Sequence, residues 1–119
     1  MSKITESQIQ QALIKWARLM VGKYPELKYL YAIPNGANTT ARNRARLIRE
    51  GLLAGVSDLH LPIPKGGFIG LWIEMKTDKG KLSPSQLEWL NAMHSYGHQC
   101  AVARSWTFAA KVIKDYLNA

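Results

Sequence analysis

Apolar positions recur first at helical spacing: Ile9, Leu13, Trp16, Ala17 and Met20. Just ahead of them, Thr5 and Gln8 have the spacing of a capping box, and Ile4 and Ile9 that of a hydrophobic staple. Gly22 closes this first helix. Residues 28–33, KYLYAI, read as a short strand stopped by the turn signal Pro34-Asn35-Gly36. The helical period returns over 40–50 and ends at Gly51. Ala41, Ala45, Ile48 and Leu52 make one stripe of that helix, and Arg42, Arg46 and Arg49 make its neighbour. After a turn at Gly55, residues 57–61 and 68–76 read as two strands joined by the loop 62–67. Ser83, Pro84 and Gln86 have the cap, first-turn and capping-box positions of a helix that runs to about Tyr96 and stops at Gly97. A strand over 98–103 and a helix over 106–117 finish the chain. The order α-β-α-β-β-α-β-α contains a hairpin and then a helical crossover. It predicts an α/β fold in a single domain, a mixed sheet with helices on its faces.

Composition narrows the partner. At 119 residues and 47% hydrophobic content the chain suffices for one compact core. There is no apolar run of spanning length and no charged-then-apolar leader, so an intracellular protein without a membrane partner is expected. The lone Cys100 excludes an internal disulfide and a cysteine-rich zinc site, and reads as a small buried hydrophobe. Sixteen Lys and Arg against eight Asp and Glu give a formal charge of +8, which points to a polyanion, nucleic acid first. Four arginines, Arg42, Arg44, Arg46 and Arg49, fall within eight residues with no acid between them. That is the signature of a phosphate-tracking surface. The adjoining loop 35–40, beginning at Asn35, is placed to approach a DNA backbone or to flank the active site. No base-reading motif accompanies it, so shape rather than sequence would be recognised.

The strand 68–76 holds a conflict. Ile69, Leu71, Ile73 and Met75 point one way; Trp72, Glu74 and Lys76 point the other. A carboxylate and an ammonium beside an apolar run must be paired, solvated or used. If the hairpin strands pair, Asp58 and Glu74 come within reach of one cation, and a hard divalent ion takes oxygen ligands. The Met75 carbonyl is placed to join them. Lys76, about 7 Å along the strand from Glu74, would reach a water on that ion. The alternative is a cross-strand salt bridge of Asp58 or Glu74 with Lys76 on a solvated face. The residues alone leave both open.

GVSD at 55–58, IEMK at 73–76 and KLSPSQLEWL at 81–90 together resemble the PD-(D/E)xK nuclease superfamily, and within it the virus-type replication-repair nuclease, or VRR-NUC, domain. The resemblance covers roughly residues 5–103 and implies a restriction-endonuclease-like core. It implies that Asp58 and Glu74 bind the metal, Mg²⁺ or Mn²⁺, and that Lys76 is the catalytic lysine. Gln86 matches the glutamine that opens the following helix and approaches the active site. Glu6 matches a helix-one acid that completes the metal site, and it shares a helical face with Ile9 and Leu13. Ser57 stands where the superfamily motif has proline. The implied activity is metal-dependent hydrolysis of DNA phosphodiesters, with branched DNA such as a Holliday junction or a flap as substrate; one active site in a chain of 119 residues makes a homodimer the expected acting form for symmetric cuts. The alternatives are a non-catalytic DNA-binding module and an inactive structural subunit. His60 reads as a solvent-facing residue, with a DNA contact as the alternative, and His94 and His98 as surface or helix-end residues.

Overall fold

The computed structural model describes residues 3–35 and 39–119. The middle of the 35–40 loop and the glycine of the Pro34-Asn35-Gly36 turn therefore lie outside the described residues. Helix α1 (Glu6–Leu19) begins where its local chemistry dictates. The Gln8 N–H donates to Thr5 Oγ1 at 3.1 Å and the Thr5 N–H donates to Gln8 Oε1 at 2.8 Å, satisfying two of the donors a helix start leaves open. The buried face of α1 carries Ile9, Leu13 and Ala17.

The stretch expected to be one strand over 28–33 is divided. Pro25–Tyr29 forms a 3-10 turn, and only Tyr31–Ala32 is a strand, β1. Pro25 presets the first turn. Leu27 and Leu30, three apart, both reach the core. Arg18 of α1 donates to the carbonyls of Leu27 at 2.9 Å and Leu30 at 2.8 Å, holding the turn in place.

Then come α2 (Ala41–Arg49), β2 (Leu59–Leu61), β3 (Leu71–Met75), α3 (Pro84–Ser95), β4 (Gln99–Ala103) and α4 (Trp106–Leu117). The element order is the expected one with the 3-10 turn added. The sheet order is β1-β2-β3-β4; β2 pairs antiparallel with β1 and β3, and β4 runs parallel to β3. A parallel neighbour needs a crossover, which α3 provides. Leu59, Leu61, Leu71, Ile73, Met75 and Ala103 face the core shared with α1 and α4. The other face bears Trp72, which meets Trp89 of α3 edge-on at 5.1 Å. All of 71–76 is buried, so β3 is covered on both faces. Helix α2 is the exception: it buries no residue, and Ala41, Ala45 and Ile48 of its apolar stripe are exposed while Leu52 is half-buried.

Candidate active site

The site grows out of the β2–β3 register. Leu59 lies opposite Ile73 and His60 opposite Trp72. One step further, Asp58 falls opposite Glu74, on the face that carries His60 and Trp72. Asp58 is held there by its own bonds. Its Oδ2 accepts from the Met75 N–H at 2.7 Å, and its carbonyl accepts from the Ile33 N–H at 2.9 Å. A strand residue presents its N–H and C=O to the same edge, so the Met75 carbonyl also faces the edge that Asp58 occupies.

The turn before Asp58 explains Gly55. Its φ is +94°, and a Cβ there would stand 2.3 Å from the Ser85 carbonyl oxygen. The GVSD turn thus lies directly on the first turn of α3, a closeness only glycine permits. Ser57, next in line, is fully buried and its Oγ has no hydrogen-bond partner.

Glu74 is 1% exposed, and its Oε1 is buried without a partner. Burial first, then a hydrogen bond with Asp58 and the like charge of Asp58, push its carboxyl up to about 9; Lys76 opposes the shift and Glu6 adds to it. Lys76 is 8% exposed. The ion pairs among the described residues are Arg46–Glu50, Lys65–Glu26 and Lys111–Asp115, so neither acid is bridged to Lys76. The salt bridge on a solvated face does not form among the described residues: Glu74 and Lys76 are buried, and neither lies in an ion pair.

These residues fit a hard divalent cation. The donors are all oxygen, two carboxylates and a carbonyl, and a buried carboxylate oxygen lacks a partner. A third acid is not drawn in closely: among the described residues no three His, Cys, Asp or Glu form a metal-holding group. Glu6 is exposed rather than core-facing, because it opens the first turn of α1 before the buried stripe begins. Its charge still acts on Glu74.

Other expected residues are placed differently. Gln86 is half-buried, and its Oε1 accepts from the Ser83 N–H at 2.9 Å, so the capping box occupies it. His60 is not solvent-facing. It stacks on Trp72 at 3.8 Å and bonds through Nδ1 to the Tyr31 hydroxyl at 2.8 Å, while burial and the charge of His98 lower its pKa to about 4. His98 accepts from Trp72 Nε1 at 3.2 Å, which also draws it off the open surface. Cys100 is half-buried as expected of a small hydrophobe, with its thiol pushed up by burial.

The arginine run is partly engaged. Arg46 bonds both oxygens of Glu50, at 2.9 and 3.0 Å, and Asn43 Oδ1 at 2.6 Å. Arg44 donates to the Asn35 carbonyl at 3.3 Å. Arg42 and Arg49 join Thr40, Asn43 and Arg46 around a groove of about 310 Å³. Sequence reading overlooked Glu50, just past the run, whose four-residue spacing from Arg46 was the available signal. It also passed over Arg104, a lone arginine that no pattern marks.

A mixed sheet flanked by helices, with an acid just ahead of one strand and Glu-x-Lys closing the next, is the architecture of a PD-(D/E)xK-type nuclease domain. The VRR-NUC domain family model matches residues 4–106, and the chain belongs to that family. A solved structure described as "VRR_NUC domain protein" is similar over 99% of this chain and 92% of that one, with a TM-score of 0.85 at 26% identity. No curated protein matches the sequence. No helix among the described residues is long and apolar enough to cross a membrane.

Proposed function

We propose that this nuclease-type domain is a divalent-metal-dependent endodeoxyribonuclease that cuts branched DNA as a homodimer. The observation that carries the reading is the Asp58–Glu74 pair: one carboxyl just ahead of β2 and one on β3, the latter buried with a partnerless oxygen and pushed up to about 9. A divalent cation bound between the two carboxyls would favour the ionised form and release the remaining proton to solvent. Asp58, Glu74 and the Met75 carbonyl are the ligands, and Mg²⁺ or Mn²⁺, when bound, supplies Lewis acidity toward the phosphate. Glu6 is an outer partner acting through its charge. Asp58 is oriented by the Met75 N–H and so keeps its second oxygen for the ion. Lys76, buried and without an ion pair, directs its donors at the attacking water and the phosphate oxygens, where negative charge builds as the 3′-oxygen leaves. Gln86 contributes by capping α3, the helix on which the Asp58 turn rests.

DNA is the polyanion that the +8 charge and the groove of Arg42, Arg46 and Arg49 serve, with Arg44 and Asn35 at its margin. Branched substrates are what the family resemblance suggests, and shape recognition without base reading agrees with them. Symmetric cuts across a junction need two sites related by a two-fold axis. The exposed Ala41, Ala45 and Ile48 of α2 are surface that a second copy would bury.

The test is cleavage of four-way junction, flap, single-stranded and duplex DNA with Mg²⁺, Mn²⁺ or chelator, alongside sedimentation with and without the junction. Asp58→Ala, Glu74→Ala and Lys76→Ala should each abolish cleavage while folding and DNA binding persist. Full activity in either carboxylate variant would defeat the site assignment. A monomer both on and off the junction would defeat the dimer.

A further inference from the structure

Arg104 follows β4 directly, and although exposed it is bonded to backbone carbonyls. Its Nη1 donates to the carbonyls of Thr77 and Gly80, each at 2.7 Å, with a longer contact of 3.3 Å to the Asp78 carbonyl. An η-nitrogen carries two hydrogens, so the two short bonds use both. The carbonyls belong to the turn that leaves β3 immediately after Lys76, closed on itself by the Gly80 N–H donating to the Thr77 carbonyl at 3.1 Å. Lys76 is fastened to the same place, its N–H donating to the Ala103 carbonyl at 2.9 Å.

The side chain is confined as well. A Cβ on Gly80 would stand 3.3 Å from Lys76 Cδ and 3.2 Å from Thr77 Oγ1, so the turn lies against the lysine stem. Among the described residues no ion pair orients the ammonium. Its direction is therefore set by packing along the stem, and the wall of that packing is the turn that Arg104 holds.

We propose that Arg104 is the positioning residue for Lys76: by clamping the turn at residues 77–80 it keeps Gly80 against the lysine stem and the ammonium aimed at the Asp58–Glu74 edge. This rests on the nuclease reading of Lys76. The competing role is a phosphate contact, since Arg104 is cationic and exposed.

The experiment uses the whole chain with Mg²⁺ and a cleaved DNA, and compares Arg104→Ala, Arg104→Lys and Gly80→Ala. Arg104→Ala should speed amide exchange at Gly80 and lower kcat about ten- to a hundredfold, the effect of displacing a reacting group by an ångström or less. KM, DNA affinity and its salt dependence should not move. Arg104→Lys keeps the charge but has a shorter reach, so it should share the loss in kcat, and it serves if the alanine variant does not fold. Gly80→Ala leaves the clamp in place and crowds the stem, and it should lower kcat by itself. Weakened DNA binding with a log-log salt slope reduced by about 0.9 would make Arg104 a phosphate contact and overturn the proposal. Faster exchange with an unchanged kcat would overturn it too. Wild-type cleavage by Lys76→Ala would instead refute the reading of Lys76, while exchange at residues 77–80 would still report on the clamp.

Discussion

Replacing Glu74 by Gln should stabilise the metal-free protein at alkaline pH while abolishing cleavage. The Glu74 carboxyl is raised from an ordinary 4.5 to about 9 by burial and by Asp58. Between those values the folded state keeps a proton that the unfolded state has lost, so stability falls as pH rises. From about pH 7 to about pH 8.5 the ceiling is about 2 kcal/mol, at about 1.4 kcal/mol per pH unit. Water relaxing around a polar edge reduces this to about 1–2 kcal/mol, which in a domain of this size is roughly 3–8 °C in Tm. The window lies above both the lowered and the ordinary pKa of His60, so that ring does not titrate in it. Cys100, raised by burial, begins to contribute at the upper end but is common to both proteins. The assay is thermal melting of wild type and Glu74→Gln in chelator across that window, repeated with Mg²⁺. Wild type should lose stability with pH and Glu74→Gln should not, and added Mg²⁺ should stabilise only wild type, more so at the higher pH. Parallel pH curves for the two proteins would show that Glu74 is ionised without help, and would leave a cation between the acids without its main support.

Gly55→Ala should cost about 2–4 kcal/mol by melting, since the added Cβ meets the Ser85 carbonyl oxygen at 2.3 Å and the φ of +94° is strained for alanine; an unchanged Tm would mean that the turn does not rest on α3. Arg42→Ala combined with Arg49→Ala should weaken DNA binding, lowering the log-log salt slope by about 0.9 for each phosphate no longer neutralised. Arg46 is left out because Glu50 already engages it, and an unchanged slope would reduce the α2 groove to a solvated face. Glu6→Gln should cost no more than about 0.3–1 kcal/mol of stability yet cut the cleavage rate about tenfold, by removing a negative charge that would help hold the cation. A wild-type rate in that variant would retire Glu6 from the site.

Local chemistry determined by itself where α1, α3 and α4 begin. Each start is a side chain accepting from a backbone N–H three residues on, at Thr5, Ser83 and Ser105, and such a bond needs nothing from the rest of the chain. Strand alternation likewise put Glu74 and Lys76 on the face of Trp72 before any pairing was known, and the ordered motifs GVSD, IEMK and LSPSQ carried the family. What the sequence could not decide depended on partners distant along the chain. The 3-10 turn at Pro25–Tyr29 takes over the start of an expected strand, where Arg18, on another element, binds the carbonyls of Leu27 and Leu30. His60 leaves solvent because β2–β3 pairing lays it on Trp72. Asp58 meets Glu74 only through that same register, and Arg104 reaches the turn after Lys76 only because β4 returns parallel to β3. A cap is satisfied within one turn of helix, whereas a shared carboxylate edge exists only once strands far apart in sequence lie about 4.8 Å from each other.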